Sequence, residues 1–241
     1  MRILGGYMNT AIFLTTRYKS TRLPGKHTMK INGHTVTDIL IGRLKRCKIP
    51  IIMCIPNTPE DVEHMKLIAE RNGIGFFAGE PTNIIKRHVD CCKQNNVLWV
   101  INCDGDDVLM VPEAINSIAH FIKMYPDSEL PVRTTGLPLG LNIIAYPLSH
   151  IEKINYDCDT NWGAQILNPI SFPVKFNYNH DFRLTLDYKQ DLEVIKDILT
   201  NCKRNITVGG ICRYLLKNPD VVKLNIDLNK EYFERLERLS K

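Results

Sequence analysis

The sequence contains no run of eighteen apolar residues, no C-x-x-C pair, no internal repeat and no low-complexity linker. Without a long apolar run no membrane span is expected, and Met1–Thr10 has no apolar core of the length a secretory signal needs. Eight cysteines lie at 47, 54, 91, 92, 103, 158, 202 and 212, mostly inside apolar periodic segments. That placement reads as reduced thiols used as small hydrophobes in a cytosolic chain, not as a disulfide framework or a zinc site. Charge of one sign is also scarce in excess: 31 cations against 26 anions leave a net +5. With no RNP-like or zinc motif among the basic residues, this argues against nucleic acid as a partner.

What remains is an ordinary globular composition in a chain of 241 residues, enough for one well-buried core. Apolar, β-prone runs alternate with helical periodicity through the first half. Strands are expected at Ala11–Thr15, Pro50–Ile55, Gly75–Ala78 and Leu98–Cys103, and helices at Val36–Arg46, from Thr58-Pro59 to Arg71, at Asn83–Gln94 and at Pro112–Met124. Nearly continuous apolar strands separated by helices predict an α/β fold, a mostly parallel sheet with helices on both faces. From Tyr125 to Asp181 prolines at 126, 131, 138, 147, 169 and 173 interrupt the pattern. An irregular arm or acceptor segment with short strands is expected there, and one helix at Pro147–Ile154. A short strand at Arg183–Leu186 and helices over Gln190–Asn201 and Val208–Leu216 follow. The tail from Lys230 sets Tyr232, Leu236 and Leu239 on one helical face.

Three segments carry chemistry. The first follows the opening strand: Leu14-Thr15-Thr16-Arg17-Tyr18-Lys19-Ser20-Thr21-Arg22-Leu23-Pro24-Gly25-Lys26. Backbone N–H groups, hydroxyls and four cations in a strand-to-helix loop suit a polyphosphate. It is not a Walker A loop, which would need Gly at 20 and Ser or Thr at 27, where this chain has Ser20 and His27. The second is Asp104-Gly105-Asp106-Asp107, at the end of the most apolar strand. Three carboxylates in four residues repel one another, so a cation such as Mg²⁺ would stabilise them; an Asp-rich turn has the same composition. The third is Arg183-Leu184-Thr185-Leu186-Asp187 with Asp191-Leu192-Glu193 beyond it, where Asp187 is either a helix N-cap or a second metal carboxylate. In a parallel sheet, the first two segments fall on the carboxyl edge where ligands bind.

In this order the segments resemble the cytidylyltransferases of the spore-coat-polysaccharide type, relatives of the 3-deoxy-manno-octulosonate and acylneuraminate cytidylyltransferases. The family loop A-R-x-x-S-T-R-L-P-G-K is matched by Thr16 through Lys26, G-D-x-P-L-I-x-P by Gly105 through Pro112, and R-L-T-[LV]-D-x-x-x-D-L-E by Arg183 through Glu193. Asn83–His88 resembles the family's D-V-L-D-R-Y without its acids. The resemblance implies a Rossmann-like nucleotidyltransferase domain over 10–229, with 1–9 an extension and 230–241 a C-terminal helix. It implies a Mg²⁺-dependent, cytoplasmic, homodimeric enzyme that transfers CMP from CTP to an acidic sugar and releases pyrophosphate.

On the matching positions, Arg17, Arg22, Lys26 and Asp106 would be catalytic. Leu14, Thr15, Thr16, Arg17, Ser20, Thr21, Arg22, Lys26, Asp104 and Gly105 would hold the nucleotide. Asp106 and Asp187 would hold Mg²⁺, and Arg87, Asn142 and Arg183 would face the acceptor. The chain departs from the family at Gly140-Leu141-Asn142-Ile143-Ile144, at Thr160–Ala164, which lacks the family's His, and at Val108, where the family has Pro. These departures fall largely on the acceptor side, so a phosphorylated polyol, a phosphonate or another non-sugar acid competes as acceptor. A catalytically degenerate nucleotide binder is the non-enzymatic alternative.

Overall fold

The structure is a computed structural model and describes residues 9–155, 163, 166, 171–202 and 206–239. Residues 1–8, and the departing stretch at 160–164 apart from Gly163, lie outside the described residues. β1 (Thr10–Thr15) is buried at all six positions and sits inside a seven-stranded sheet. Its parallel neighbours are β4 (Ile51–Pro56) and β6 (Trp99–Asp104), and β5 (Gly75–Gly79) extends the parallel block beyond β4. β2 (Lys30–Ile31) and β3 (His34–Thr35) form a separate small hairpin.

Beyond β6 the sheet changes character. β8 (Ile144–Pro147) runs antiparallel to β6, β7 (Val132–Thr135) antiparallel to β8, and the edge strand β9 (Phe172–Lys175) parallel to β7. The segment expected to be irregular thus contributes three short strands. Its expected helix is shorter than its sequence pattern, covering only Leu148–Ile151 (α5).

Alternate residues of β1 feed two cores. Ile12 and Leu14 pack with α1 (Val36–Leu44), α2 (Pro59–Arg71) and α4 (Pro112–Met124); α6 (Lys189–Asn201) and α7 (Val208–Lys217) join the same cluster. Ala11 and Phe13 face α3 (Ile84–Asn95) and α5. Each such fully buried side chain contributes about 1.5–3 kcal/mol, so β1 is a firm platform for the loop it feeds. Helix starts follow their sequence signals: Thr35, Thr58 and Asn83 accept from the backbone N–H three residues on, and Pro59 occupies the first turn. α8 (Pro219–Lys223) and α9 (Leu228–Leu239) complete the described chain.

The expected strand at Arg183–Leu186 is reduced to one bridge, Leu139 with Arg183. The reason lies in how its N–H groups are shared. Leu184 donates to the Leu139 carbonyl at 2.8 Å, and Leu186 donates to the Asp106 carbonyl at 2.9 Å. Two different segments flank this stretch, so no continuous ladder forms.

Candidate active site

The parallel register sets Thr15 beside Asp104 at the carboxyl ends of β1 and β6, and Gly105 N–H donates to the Thr15 carbonyl at 2.9 Å. Gly105 is dictated by this crossing. A Cβ there would lie 2.5 Å from Thr16 Oγ1 and 3.0 Å from the His27 ring. His27 is buried against Thr16, and that burial, with Lys26 and Arg17 close by, pushes its pKa down to about 3.

The basic loop is tied at several points. Tyr18 N–H donates to Asp61 at the start of α2 at 2.5 Å, the Tyr18 ring stacks on His64 at 3.9 Å, and Lys19 pairs with Glu60 at 2.8 Å. Ser20 Oγ accepts from Leu23 N–H, and Leu23 is buried. Gly25 then takes a left-handed conformation (φ 70°) that turns the chain into the short helix Lys26–Thr28. Arg17 and Thr21 are exposed.

Lys26 is the meeting point of the three segments. Its Nζ lies 3.2 Å from Asp106 Oδ2, 3.3 Å from Asp187 Oδ1 and 2.8 Å from the Leu186 carbonyl. Arg22 also pairs with Asp187 Oδ1, and Arg183 Nη2 pairs with Asp187 Oδ2 at 3.2 Å. Burial would lower the Lys26 pKa, but Asp106 and Asp187 raise it above its ordinary value. Burial alone would likewise lift Asp187; Lys26, Arg22 and Arg183 hold it below the usual carboxylate range.

Asp104, Asp106 and Asp107 each offer an oxygen, all within 4.8 Å of one another. Burial and the charge of Asp106 push Asp104 up to about 7, and burial followed by Asp106 and Asp104 raises Asp107 well above its ordinary value. A hard, all-oxygen donor set whose acids are this costly to ionise together fits a small divalent cation such as Mg²⁺.

The N-cap of α6 is Tyr188, not Asp187. Asp191 supplies the local support: its Oδ2 accepts from the N–H groups of Asp187 and Tyr188, both at 2.9 Å. Arg183 binds both Asp191 oxygens, and Asn225 bonds Asp191 Oδ1 and the Arg183 carbonyl. The Tyr188 ring lies between the guanidinium groups of Arg22 (5.8 Å) and Arg183 (5.7 Å), and Arg183 also faces Tyr232 of α9 at 5.6 Å. Motif spacing does not predict the parts played by Tyr188, Asn225 and Tyr232, because each acts through a contact distant in sequence or through a ring face.

The residues expected to face an acceptor are engaged within the protein. Arg87 is buried and donates to the carbonyls of Glu80 (2.7 Å) and Pro81 (3.0 Å), holding the turn after β5. Arg183 is buried under its pairs with Asp187 and Asp191. Asn142 bonds the carbonyls of Leu137 and Pro138, closing its own turn. As the structure stands, burial keeps both arginines from a small acid in solvent.

No protein-family model matches the chain. It is similar to the spore coat polysaccharide biosynthesis protein SpsF of Bacillus subtilis, with 23% identity over 235 residues that cover 88% of this chain and 97% of that protein. It is also similar to the 3-deoxy-manno-octulosonate cytidylyltransferase of Fusobacterium nucleatum, with 28% identity over 118 residues, 48% of this chain and 47% of that one. Among solved structures, a cytidylyltransferase from Leptospira borgpetersenii superposes with a TM-score of 0.75 at 21% identity, covering 89% of this chain and 97% of that one. The resemblance read from the motifs is thus borne out by relatives named for cytidylyl transfer and for spore-coat polysaccharide synthesis, and the chain has their α/β nucleotidyltransferase-like fold.

Proposed function

We propose that the protein is a Mg²⁺-dependent cytidylyltransferase that transfers CMP from CTP to an acidic sugar or related glycan precursor. The observation that carries this reading is the Lys26 ammonium in contact with Asp106 and Asp187 together, which joins the basic loop, the acidic loop and the third motif at one point. Loop cations opposite clustered carboxylates make a pocket for a polyphosphate and a divalent ion.

In the reaction an acceptor oxygen attacks the α-phosphorus of CTP, and the bond from that phosphorus to the pyrophosphate oxygen breaks. Negative charge builds on the α-phosphate oxygens and on the departing pyrophosphate. Arg17, Arg22 and Lys26 supply fixed positive charge along the triphosphate, where preorganised charge acts most strongly. Ser20, Thr21, Thr15, Thr16 and the backbone from Leu14 shape the loop around it, with Asp104 and Gly105 at its floor. Asp106 and Asp187 would hold Mg²⁺, which when bound neutralises phosphate oxygens and the leaving group. Arg183 and Asp191 orient Asp187 from behind.

The acidic-sugar acceptor rests on the relatives' names for polysaccharide and octulosonate synthesis. On the same resemblance we assign the enzyme to the cytosol as a homodimer, which light scattering checks; no helix among the described residues is long and apolar enough to cross a membrane. The test of function is pyrophosphate release from CTP and Mg²⁺ across a panel of sugar acids, phosphorylated polyols and phosphonates. Release with a sugar acid supports the reading. Release only with another acceptor overturns the acceptor class, and no release with any acceptor, together with no CTP-dependent thermal stabilisation, overturns the enzyme.

A further inference from the structure

A chain of buried hydrogen bonds runs from the Asp104 carboxylate through the sheet to the core on its α3 face. Asn102 Nδ2 lies 3.0 Å from Asp104 Oδ1, and Asn102 Oδ1 lies 2.5 Å from Thr15 Oγ1. Thr15 Oγ1 is 3.0 Å from His88 Nε2, and His88 Nδ1 is 2.6 Å from the Tyr146 hydroxyl. Thr15, His88, Asn102 and Tyr146 come from β1, α3, β6 and β8, and all are buried, His88 and Tyr146 with no exposed surface.

The direction of every bond follows from the one before it. The Asn102 amide donates its NH₂ to Asp104 Oδ1 and turns its carbonyl oxygen toward Thr15. Thr15 spends its single hydrogen on that oxygen and must therefore accept from His88 Nε2–H. His88 Nδ1 is then the acceptor for the Tyr146 hydroxyl hydrogen. All four bonds point toward Asp104, and donors aligned head to tail polarise one another in a dry interior. Cys54 also bonds to the imidazole: burial would raise its pKa, but hydrogen bonds with Cys91 and His88 and the His88 charge lower it to about 5.

We propose that His88 and Tyr146 are positioning residues for the Asp104 carboxylate. They fix the Asn102 amide, which sets the plane of Asp104 next to Asp106 and Asp107. The inference rests on the reading of this pocket as a Mg²⁺–CTP site. Its prediction is that Tyr146 and His88, remote from the loop cations, govern the part of CTP affinity that depends on Mg²⁺. A purely structural role would weaken binding with and without the ion alike.

Two measurements on the full chain test this. Imidazole ¹⁵N NMR should find the His88 hydrogen on Nε2 in the wild type and a mixture of tautomers in Tyr146→Phe. Calorimetry with CTP, run with Mg²⁺ and again with chelator, should show the Mg²⁺-dependent gain in affinity falling by about tenfold in Tyr146→Phe and His88→Gln, the scale for residues that orient the acids around an ion. Binding in chelator should stay unchanged. A wild-type hydrogen on Nδ1 or on both nitrogens overturns the proposal, as does a loss equal in both conditions or no loss in either folded variant. A wild type that binds no CTP overturns the functional reading and the positioning role together. A wild type that binds CTP beside unchanged variants overturns the positioning role alone.

Discussion

The sheet joins two halves built by different rules. In β5, β4, β1 and β6 the strands are parallel, so their carboxyl ends share one edge, and β4, β1 and β6 are largely buried on both faces. The basic loop and the acidic loop emerge there side by side. Past β6 one strand, β8, is reversed between β6 and β7, and the strands shorten to four residues, ending at β9 with Phe172 about half exposed. The loop from β7 to β8, residues 136–143, therefore opens at the same edge as the charged loops, but it carries no charged side chain. Its link to the charged pocket runs through backbone, from the Leu139 carbonyl and the Gly140 turn to the stretch leading into Asp187. The basic and acidic loops belong to the parallel half, and the other half holds the stretch that brings Asp187 to them.

The sharpest way to break this contrast is at the acids. Asp187→Asn or Asp106→Asn should lower kcat for pyrophosphate release by about a hundredfold or more, the scale for removing charge aimed at a transition state. Full activity in either variant would show that the parallel edge is not the reacting centre. Next in size, Arg183→Met leaves Asp191 buried without its ion pair and should cost about 3–5 kcal/mol in urea denaturation. A loss like that of a surface substitution would mean the pair does not hold the third segment.

The backbone link can be probed at Gly140, whose φ is 91° and whose added Cβ would lie 2.5 Å from the Leu184 carbonyl carbon and the Thr185 nitrogen. Gly140→Ala should cost about 1–3 kcal/mol from the backbone conformation alone, and more from the clash, with reduced turnover. Gly33→Ala shares the positive φ (84°) but points into open space, so it should cost less and leave turnover alone. Equal effects at the two glycines would remove the argument that the turn between β7 and β8 positions Asp187.

The pH dependence separates the acids by sign. Asp104 binds its proton more tightly in the folded state, with a pKa of about 7 against an ordinary 3.8. Between those values the native state holds more protons than the unfolded one, so this group makes the metal-free protein less stable as pH rises through the window. Asp187 has the opposite shift: its stabilisation is present above the ordinary carboxylate pKa and is lost as pH falls through its lower native value. Melting curves in chelator from pH 4 to 8 should carry a downward contribution with pH that flattens in Asp104→Asn; an unchanged slope in that variant would refute the assignment. Smallest of all, Lys86→Ala removes an exposed i,i+4 pair with Asp90 and should change stability by no more than about 0.5 kcal/mol. A larger loss would point to a role for α3's outer face.

Much of the parallel half was legible in the sequence because its signals are local. Thr58-Pro59 starts a helix wherever that helix packs, and an apolar run such as Ile51–Ile55 can satisfy its surroundings only inside a sheet. The order of the three charged segments was legible too, and it resembles a family's order. The use of single arginines was not. Arg87 and Arg183 look like anion grips on a line of text, but their roles depend on which carbonyls and acids fold over them. Arg183–Leu186 looks like a strand, but its N–H groups are divided between Leu139 and Asp106. His88 and Tyr146 are 58 residues apart and meet only because β8 returns antiparallel beside β6.

Lys26 has a further consequence for the protein at rest. A free counterion is lost by dilution or dialysis, but an ammonium on a covalent tether has a local concentration fixed by the fold. Stripping divalent ions from the medium therefore leaves Asp187 still balanced by its own chain. The pocket carries its own electrolyte, and the protein should withstand chelation and storage at low salt without its acids driving the two loops apart.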